Sequence, residues 1–268
     1  MPGGLSDASP RPCRCRQLYP NTSRDSCGGY RTWILLCLTR CATIEVLMRG
    51  SDRYTFSARC YDVISGEWPV YRAGRIVGID LLALIAGDEV LDIACGTGLN
   101  FAHLQRRIGP SGTITAIDVS EQMLDQARRR VRKSGWRNVR LIQADAADVK
   151  PASLGRSQRF DAAISTYGLS LMPQWRRALA RMVEVTRAGG RVAIVDMQNP
   201  VGFAAVLSPL AQLACQLGGS DINAHPWTPI ESSLTDVRAA SVRGGHIQVR
   251  AGAIPGHNHR RGETRSGR

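Results

Sequence analysis

The sequence predicts an α/β protein built on a doubly wound, mostly parallel sheet of seven strands, the last two forming a C-terminal antiparallel hairpin. Three observations predict it. From Glu89 onward, short apolar runs alternate with segments whose apolar residues recur at helical spacing. The apolar runs are nearly continuous, as strands must be when helices cover both faces of a parallel sheet. Finally, Gly96, Gly98, Asp118, Asp145 and Ser165–Tyr167 all follow strand ends. Right-handed crossovers gather such ends on one edge, where ligands bind.

The elements follow in order. Glu89–Ala94 is a buried strand entering a tight Cys-Gly-Thr-Gly turn, and Leu99–Ile108 is a helix stopped by Gly109-Pro110. Thr113–Ile117 is a second strand, closed by Asp118. Ser120 caps the next helix, whose Leu124, Ala127 and Val131 share a face. Glu121 in its first turn and Arg128–Arg130, Arg132 and Lys133 toward its end complement the helix dipole, and Gly135 stops it. Val139–Gln143 and Phe160–Ser165 are strands three and four. A helix from Pro173 to Arg187 ends at Gly189-Gly190, Arg191–Asp196 is the fifth strand, and Gly202–Leu217 is a helix. Val237–Val242 and His246–Arg250, joined through Gly244-Gly245, close the sheet as a hairpin.

The length, 268 residues, suits one such domain with flanking segments. We expect the domain to run over 48–252. Residues 1–47 are rich in Pro, Ser, Arg, Cys and Gly and show no helical or strand period before Trp33. The adopted reading is a disordered or spurious extension with the natural start at Met48; a targeting peptide and a functional arm stay open. Residues 253–268 read as a loose basic tail. The net charge of +13 is concentrated in these flanks: residues 1–50 carry +4, 251–268 carry +3, and the 200 residues between only +6. The charge is therefore weak support for a nucleic-acid partner. No run of 18 apolar residues exists, so no membrane span is expected. The eight cysteines include no Cys-x-x-Cys pair, so no metal site is expected and a reducing cytoplasm is the simplest compartment.

The chemistry concentrates in Asp92-Ile-Ala-Cys-Gly96-Thr-Gly98. Glycines between a strand and a helix permit positive φ and let a ligand approach the backbone, and the helix start offers free N–H groups. Asp118, twenty residues after Gly98, stands where an acid accepts hydrogen bonds from a ribose diol. Asp145, beside Ala146, stands where an adenine amine would be met. A nicotinamide fingerprint would need Gly-x-Gly-x-x-Gly, but the three positions are Ala94, Gly96 and Leu99. A ligand carrying an ammonium and a sulfonium, without phosphates, suits the loop better.

With these residues in place, the sequence resembles the class I S-adenosylmethionine-dependent methyltransferases. VLDIACGTG (90–98), ITAIDVSEQML (114–124), QADAADV (143–149), FDAAISTYGLSLM (160–172) and VTRAGGRVAIVDM (185–197) resemble the family's five motifs, in order. Met123-Leu124 and the upstream Tyr61-Asp62 are most similar to the quinone-biosynthesis C-methyltransferases and neighbouring small-molecule and phospholipid enzymes. Two departures stand out. Leu169-Ser170-Leu171 occupies the place of the quinone enzymes' Arg-Asn pair, and Ala188 that of a Pro before the double glycine.

The resemblance implies a Rossmann-like fold with S-adenosyl-L-methionine as cofactor. It implies that Ala94, Gly96 and Gly98 wrap the methionine portion and that Asp92 holds the loop or the ammonium. Asp118 would bind the ribose, Val119 pack on the adenine, and Asp145 with Ala146 receive its amine. Ser165 and Tyr167 would lie near the sulfonium, with Tyr54 and Tyr61 closing over the cofactor. Tyr61, Trp68, Tyr71 and Trp227 are the expected acceptor contacts. Tyr167 and His225 are the expected catalytic residues, with Asp196 a second candidate base beside His225. The expected acceptor is a small, largely apolar molecule, quinone-like or lipid-like. The expected location is cytoplasmic, with peripheral membrane contact allowed and no nucleic-acid partner. A nucleic-acid methyltransferase would more often carry Asn/Asp-Pro-Pro-Tyr where Ser165-Thr-Tyr-Gly168 stands. That reading, and a non-enzymatic protein retaining the cofactor fold, are the alternatives.

Overall fold

A computed structural model describes residues 70–154 and 159–256. The N-terminal segment, Tyr54, Tyr61, Trp68 and the end of the tail lie outside the described residues. Seven strands form one sheet in the order β3-β2-β1-β4-β5-β7-β6. They are β1 (Glu89–Ile93), β2 (Thr113–Asp118), β3 (Val139–Gln143), β4 (Phe160–Thr166), β5 (Thr186–Met197), β6 (Thr235–Val242) and β7 (Ile247–Ala253). β1 to β5 pair in parallel, while β7 runs antiparallel to both β5 and β6. Chain order reverses on either side of β1, so the crevice between β1 and β4 is the topological switch point where open α/β sheets bind ligands.

The apolar strands are buried on both faces. Leu91 and Ile93 of β1 join Trp175, Leu179 and Met182 on one side. The intervening Val90 joins Phe101, Leu104, Ile114 and Leu124 on the other. The helices are α1 (Arg72–Leu81), α2 (Phe101–Ile108), α3 (Glu121–Ser134), α4 (Trp175–Val185), α5 (Ser208–Gly218) and α6 (Thr228–Ser233). The Ser120 hydroxyl accepts the Met123 N–H at 3.3 Å, as its capping role requires.

Several features differ from expectation. The helix read from Leu99 begins at Phe101, because the glycine turn extends through Asn100. The helix read through Arg187 stops at Val185, and β5 starts at Thr186, paired with Phe160. Gly189-Gly190 thus lies within an irregular strand start rather than ending a helix. A Cβ on Gly190 would stand 2.6 Å from the Asp161 carbonyl, so the close approach needs glycine. The single helix read over 202–217 is a 3-10 segment (Gly202–Leu207) followed by α5. Pro209 lacks the N–H that a continuous helix would bond to Ala205, and the chain restarts there. Finally, α1 was not anticipated. Its apolar periodicity is weak, but Gly74 and Gly78 let it lie against the sheet: a Cβ at Gly78 would meet Val195 at 2.3 Å.

Candidate functional site

The loop after β1 is shaped by left-handed backbone at Ala94 (φ 53°), Gly96 (φ 54°) and Gly98 (φ 79°). Alanine tolerates this conformation poorly, so Ala94 is held there by its surroundings. A Cβ at Gly98 would strike the Phe101 ring at 2.3 Å, whereas one at Gly96 would meet nothing within 4 Å. Gly96 therefore borders open space beside the turn. Its N–H donates to Asp118 Oδ2 at 2.8 Å, and the Ser120 N–H donates to Asp118 Oδ1 at 2.9 Å. One carboxylate thus fastens the glycine loop to the start of α3. Burial raises the Asp118 carboxyl above its ordinary value, against the lowering effect of these backbone donors.

Beside Asp118 opens a cavity of about 320 Å³, between the ends of β1, β2 and β3 and the turn after β4. Ala94, Ile117, Ala146, Leu171 and Met172 give it apolar walls, and Asp118, Asp145 and Gln174 its polar groups. Asp145 Oδ1 accepts the Ala147 N–H at 2.8 Å, which sets the turn that buries Ala146. Val119 projects at the rim, largely exposed. A flat apolar ring with a polar edge and a neighbouring diol fits this lining.

On the other side of the loop lies a buried polar cluster. Asp92 is fully buried; its Oδ1 accepts the Asn100 amide at 2.8 Å, and its Oδ2 has no partner among the described residues. Arg75 of α1 donates to Asn100 Oδ1 at 2.8 Å and Thr166 Oγ1 at 2.5 Å. Burial pushes the Asp92 carboxyl up to about 7, only partly opposed by the Asn100 hydrogen bond and the Arg75 charge. Ser165 Oγ, also buried, has no partner among the described residues either. Two unsatisfied acceptors beside the glycine turn suit a cationic donor such as an ammonium. Cys95, buried within the loop, is no nucleophile: burial, with Asp92 and Asp118 nearby, holds its thiol well above its usual range.

The sequence matches the family described as "Methyltransferase domain" over residues 90–190. It is 30% identical over 153 residues to aklanonic acid methyltransferase DauC of a Streptomyces species, with 57% of this chain and 67% of that protein covered. The chain belongs to the class I S-adenosylmethionine-dependent methyltransferases. It is also 33% identical over 154 residues to the ubiquinone/menaquinone biosynthesis C-methyltransferase UbiE of Idiomarina loihiensis, covering 56% of this chain and 60% of that protein's length. A demethylmenaquinone methyltransferase of Desulfitobacterium hafniense is 28% identical, with 87% and 99% covered. Among solved structures, the CurJ carbon methyltransferase shares the fold with a TM-score of 0.59 at 17% identity, over 90% of this chain and 69% of that one.

The residues present fit the methyltransferase cofactor. Asp118 and the apolar cavity are placed for an adenosine, and the unsatisfied Asp92 Oδ2 and Ser165 Oγ for the methionine end. The fold brings together all nine expected cofactor residues: Asp92, Ala94, Gly96, Gly98, Asp118, Val119, Asp145, Ala146 and Ser165 border the glycine loop or the cavity. Arg75, Asn100 and Thr166 were missed. Glycines at 74 and 78, on either side of Arg75, were the available signal, since that spacing marks close packing.

The acceptor end is built differently from expectation. Tyr167, with left-handed backbone (φ 58°), donates its hydroxyl to the Tyr71 carbonyl at 2.6 Å, and the two rings lie 4.8 Å apart. Its hydroxyl thus fastens α1 to the turn after β4. Tyr71 and Tyr167 pack with Met197, Cys215 and Ile222. Trp227, expected at the acceptor, is a core residue instead: it is buried with Ile230 and Leu234 in the apolar layer around Trp175. Its position one residue before α6 turns the indole inward. His225 is exposed, its ring 5.0 Å from that of Trp227, and makes no side-chain hydrogen bond among the described residues. Asp196, at the end of β5, is fully buried and accepts from the Ser170 N–H (3.0 Å), Ser170 Oγ (2.7 Å) and the Met197 N–H (2.9 Å). Ser170 Oγ also lies 2.6 Å from Ser220 Oγ. Burial pushes the Asp196 carboxyl up to about 6, against those donors.

Proposed function

We propose that this methyltransferase moves a methyl group to a small, largely apolar, ring-bearing or lipid-like acceptor. The observation that carries the reading is the packing of Tyr71, Tyr167, Met197, Cys215 and Ile222 next to the turn that holds Ser165 and Gly168. Tyr71 and Tyr167 are half-buried at this end of the sheet, backed by the buried apolar Met197, Cys215 and Ile222. The names of the relatives, quinone-biosynthesis and aklanonic acid methyltransferases, support an acceptor with apolar rings. Leu169-Ser170-Leu171 stands in the place of the Arg-Asn pair typical of the quinone enzymes, and Ser170 is engaged by Asp196. We therefore assign the acceptor to the wider class of apolar metabolites.

When bound, S-adenosylmethionine supplies an electrophilic methyl on a sulfonium and departs as a neutral thioether. Little new charge has to be stabilised, so the work of this chain is positioning and exclusion of water. Asp92 and Ser165 orient the methionine end, Asp118 fixes the ribose, and Gly168 brings the turn after β4 against Ala94: a Cβ on Gly168 would stand 2.5 Å from the Ala94 Cβ. Of the candidate bases, Asp196 lies at the acceptor end and His225 does not. Where the acceptor must lose a proton, the buried Asp196, bonded to Ser170 Oγ and through it to Ser220 Oγ, is the candidate base. In cells the enzyme works at the cytoplasmic side, in peripheral contact with lipid.

The test is label transfer from methyl-labelled S-adenosylmethionine into a cell extract. Label in the organic phase is the expected result. Label confined to RNA or protein, and removed by nuclease or protease, rejects the reading.

A further inference from the structure

The chain carries no charged residue between Asp196 and Asp221. This stretch holds the 3-10 segment and α5, and its two sides differ sharply. Ala211 and Cys215 face inward, packed on Met197, Tyr71 and Tyr167 of the acceptor end. Val201, Phe203, Val206, Leu207, Leu210 and Leu213 are each more than half exposed. Within the 3-10 segment and α5, the spacing of three and four residues places Phe203, Val206, Leu210 and Leu213 along one outer face, with Val201 and Leu207 beside it. An isolated exposed leucine is ordinary, but a contiguous apolar ridge marks an interaction surface.

One residue at the border of the ridge, Arg243, is cationic. The turn between β6 and β7 rests on the 3-10 segment: the Val201 N–H donates to the Gly244 carbonyl at 2.9 Å, and a Cβ on Gly244 would meet Ala204 at 2.5 Å. This seats the exposed Arg243 beside the apolar ridge. No acid within the stretch opposes an anionic surface, and the whole chain is at +13. No described helix is long and apolar enough to cross a membrane, so contact with lipid would be made lying flat.

We propose that the outer face of residues 201–213 docks on an anionic lipid surface. Phe203, Val206, Leu207, Leu210 and Leu213 enter the boundary between headgroups and acyl chains, and Arg243 lies at headgroup level. The inference rests on the apolar-acceptor reading, which it extends: α5 is one helix thick, about 10 Å, so the acceptor end lies directly behind the docked face. A lipid-soluble acceptor then reaches Tyr71 and Tyr167 without crossing bulk water.

The experiment is flotation of the full chain with vesicles of equal parts phosphatidylcholine and phosphatidylglycerol. The comparison is the triple variant Phe203→Ser, Leu210→Ser, Leu213→Ser. The full chain is expected to float and the variant to bind at least about tenfold less, with unchanged melting temperature and S-adenosylmethionine affinity. A full chain that stays with the lipid-free fraction overturns the proposal, as does a variant that floats equally well. A variant that melts several degrees lower without lipid, or loses an oligomer in sedimentation, also overturns it: the ridge is then covered by residues 1–69 or by a second copy. The acceptor reading fails separately. Methyl label found only in a water-soluble acceptor, with flotation intact, rejects that reading and leaves the docking surface standing.

Discussion

Replacing Asp92 by Asn removes a titration that the fold makes expensive. The carboxyl sits at 3.8 in an ordinary setting and is pushed up to about 7 by complete burial. A raised folded-state value favours the protonated form, so its contribution is fully present below pH 3.8 and is lost as pH rises through 7. Ionising it in the fold costs about 4 kcal/mol at high pH, taking ~1.4 kcal/mol per pH unit over roughly three units. About 2–3 kcal/mol of that is lost between pH 5 and pH 8. Asp92→Asn keeps the acceptor for the Asn100 amide but places an unpartnered N–H where Oδ2 stands, a pH-independent penalty of about 1–3 kcal/mol. The informative quantity is therefore the slope. Urea unfolding at pH 5, 6, 7 and 8 should show wild-type stability falling relative to the variant by about 2–3 kcal/mol across the range. Asp196, raised to about 6, acts in the same direction but is common to both proteins. The ammonium of the cofactor should expel the same proton. Calorimetry at pH 6 in buffers of different ionisation enthalpy should then record release approaching one proton on binding by the wild type and none by the Asp92→Asn variant. Parallel stability curves from pH 5 to 8 would refute the reasoning.

Asp118→Ala should weaken S-adenosylmethionine binding by about 1–3 kcal/mol in calorimetry, the cost of a lost charged acceptor; unchanged affinity sinks the ribose assignment. Gly98→Ala should lower stability by about 1–3 kcal/mol, through a strained φ and the contact with Phe101. Gly96→Ala shares the strained φ but meets no neighbour within 4 Å, so it should lower stability less than Gly98→Ala and cost cofactor affinity as well; the two variants read side by side separate packing from ligand space. Trp227→Ala should destabilise by about 3–5 kcal/mol in denaturant unfolding while leaving cofactor affinity intact. Normal stability with impaired methyl transfer would return Trp227 to the acceptor. A chain beginning at Met48 should match the full chain in melting temperature and cofactor affinity, and a marked drop in either places residues 1–47 within the domain.

The glycine turn and the strand-ending acids were legible as one edge of the sheet because their signals are local. A glycine turn after an apolar run, with acids closing the next two strands, already places Gly96, Asp118 and Asp145 on one edge, since parallel topology leaves them nowhere else to go. The sheet was legible for the same reason, down to the closing hairpin. What escaped depends on contacts between distant segments. Arg75 reads as one more surface arginine until α1 is laid against β4 and β5. Asp196 reads as a strand-ending acid until Ser170, from a different crossover, is folded over it. Trp227 and His225 lie two residues apart, in a loop whose polar composition suggested a mouth. Only the packing of α6 shows that the indole turns into the core and the imidazole out to solvent. Acceptor choice rests on such long-range contacts, so that part of the function was the least readable.

Asp196 has a kinetic consequence. Its carboxylate receives the Ser170 amide and hydroxyl, Ser170 in turn meets Ser220, and the Asp221 N–H closes on the Ser170 carbonyl at 2.9 Å. Two segments fifty residues apart therefore hang on one buried group. Neither can swing out without unlocking the other, so the mouth of the site should open as a single cooperative unit. Amide hydrogens on Ser170 and Asp221 should exchange with solvent at a common rate, and that rate, more than the chemistry of the methyl group, would govern how often an acceptor is admitted.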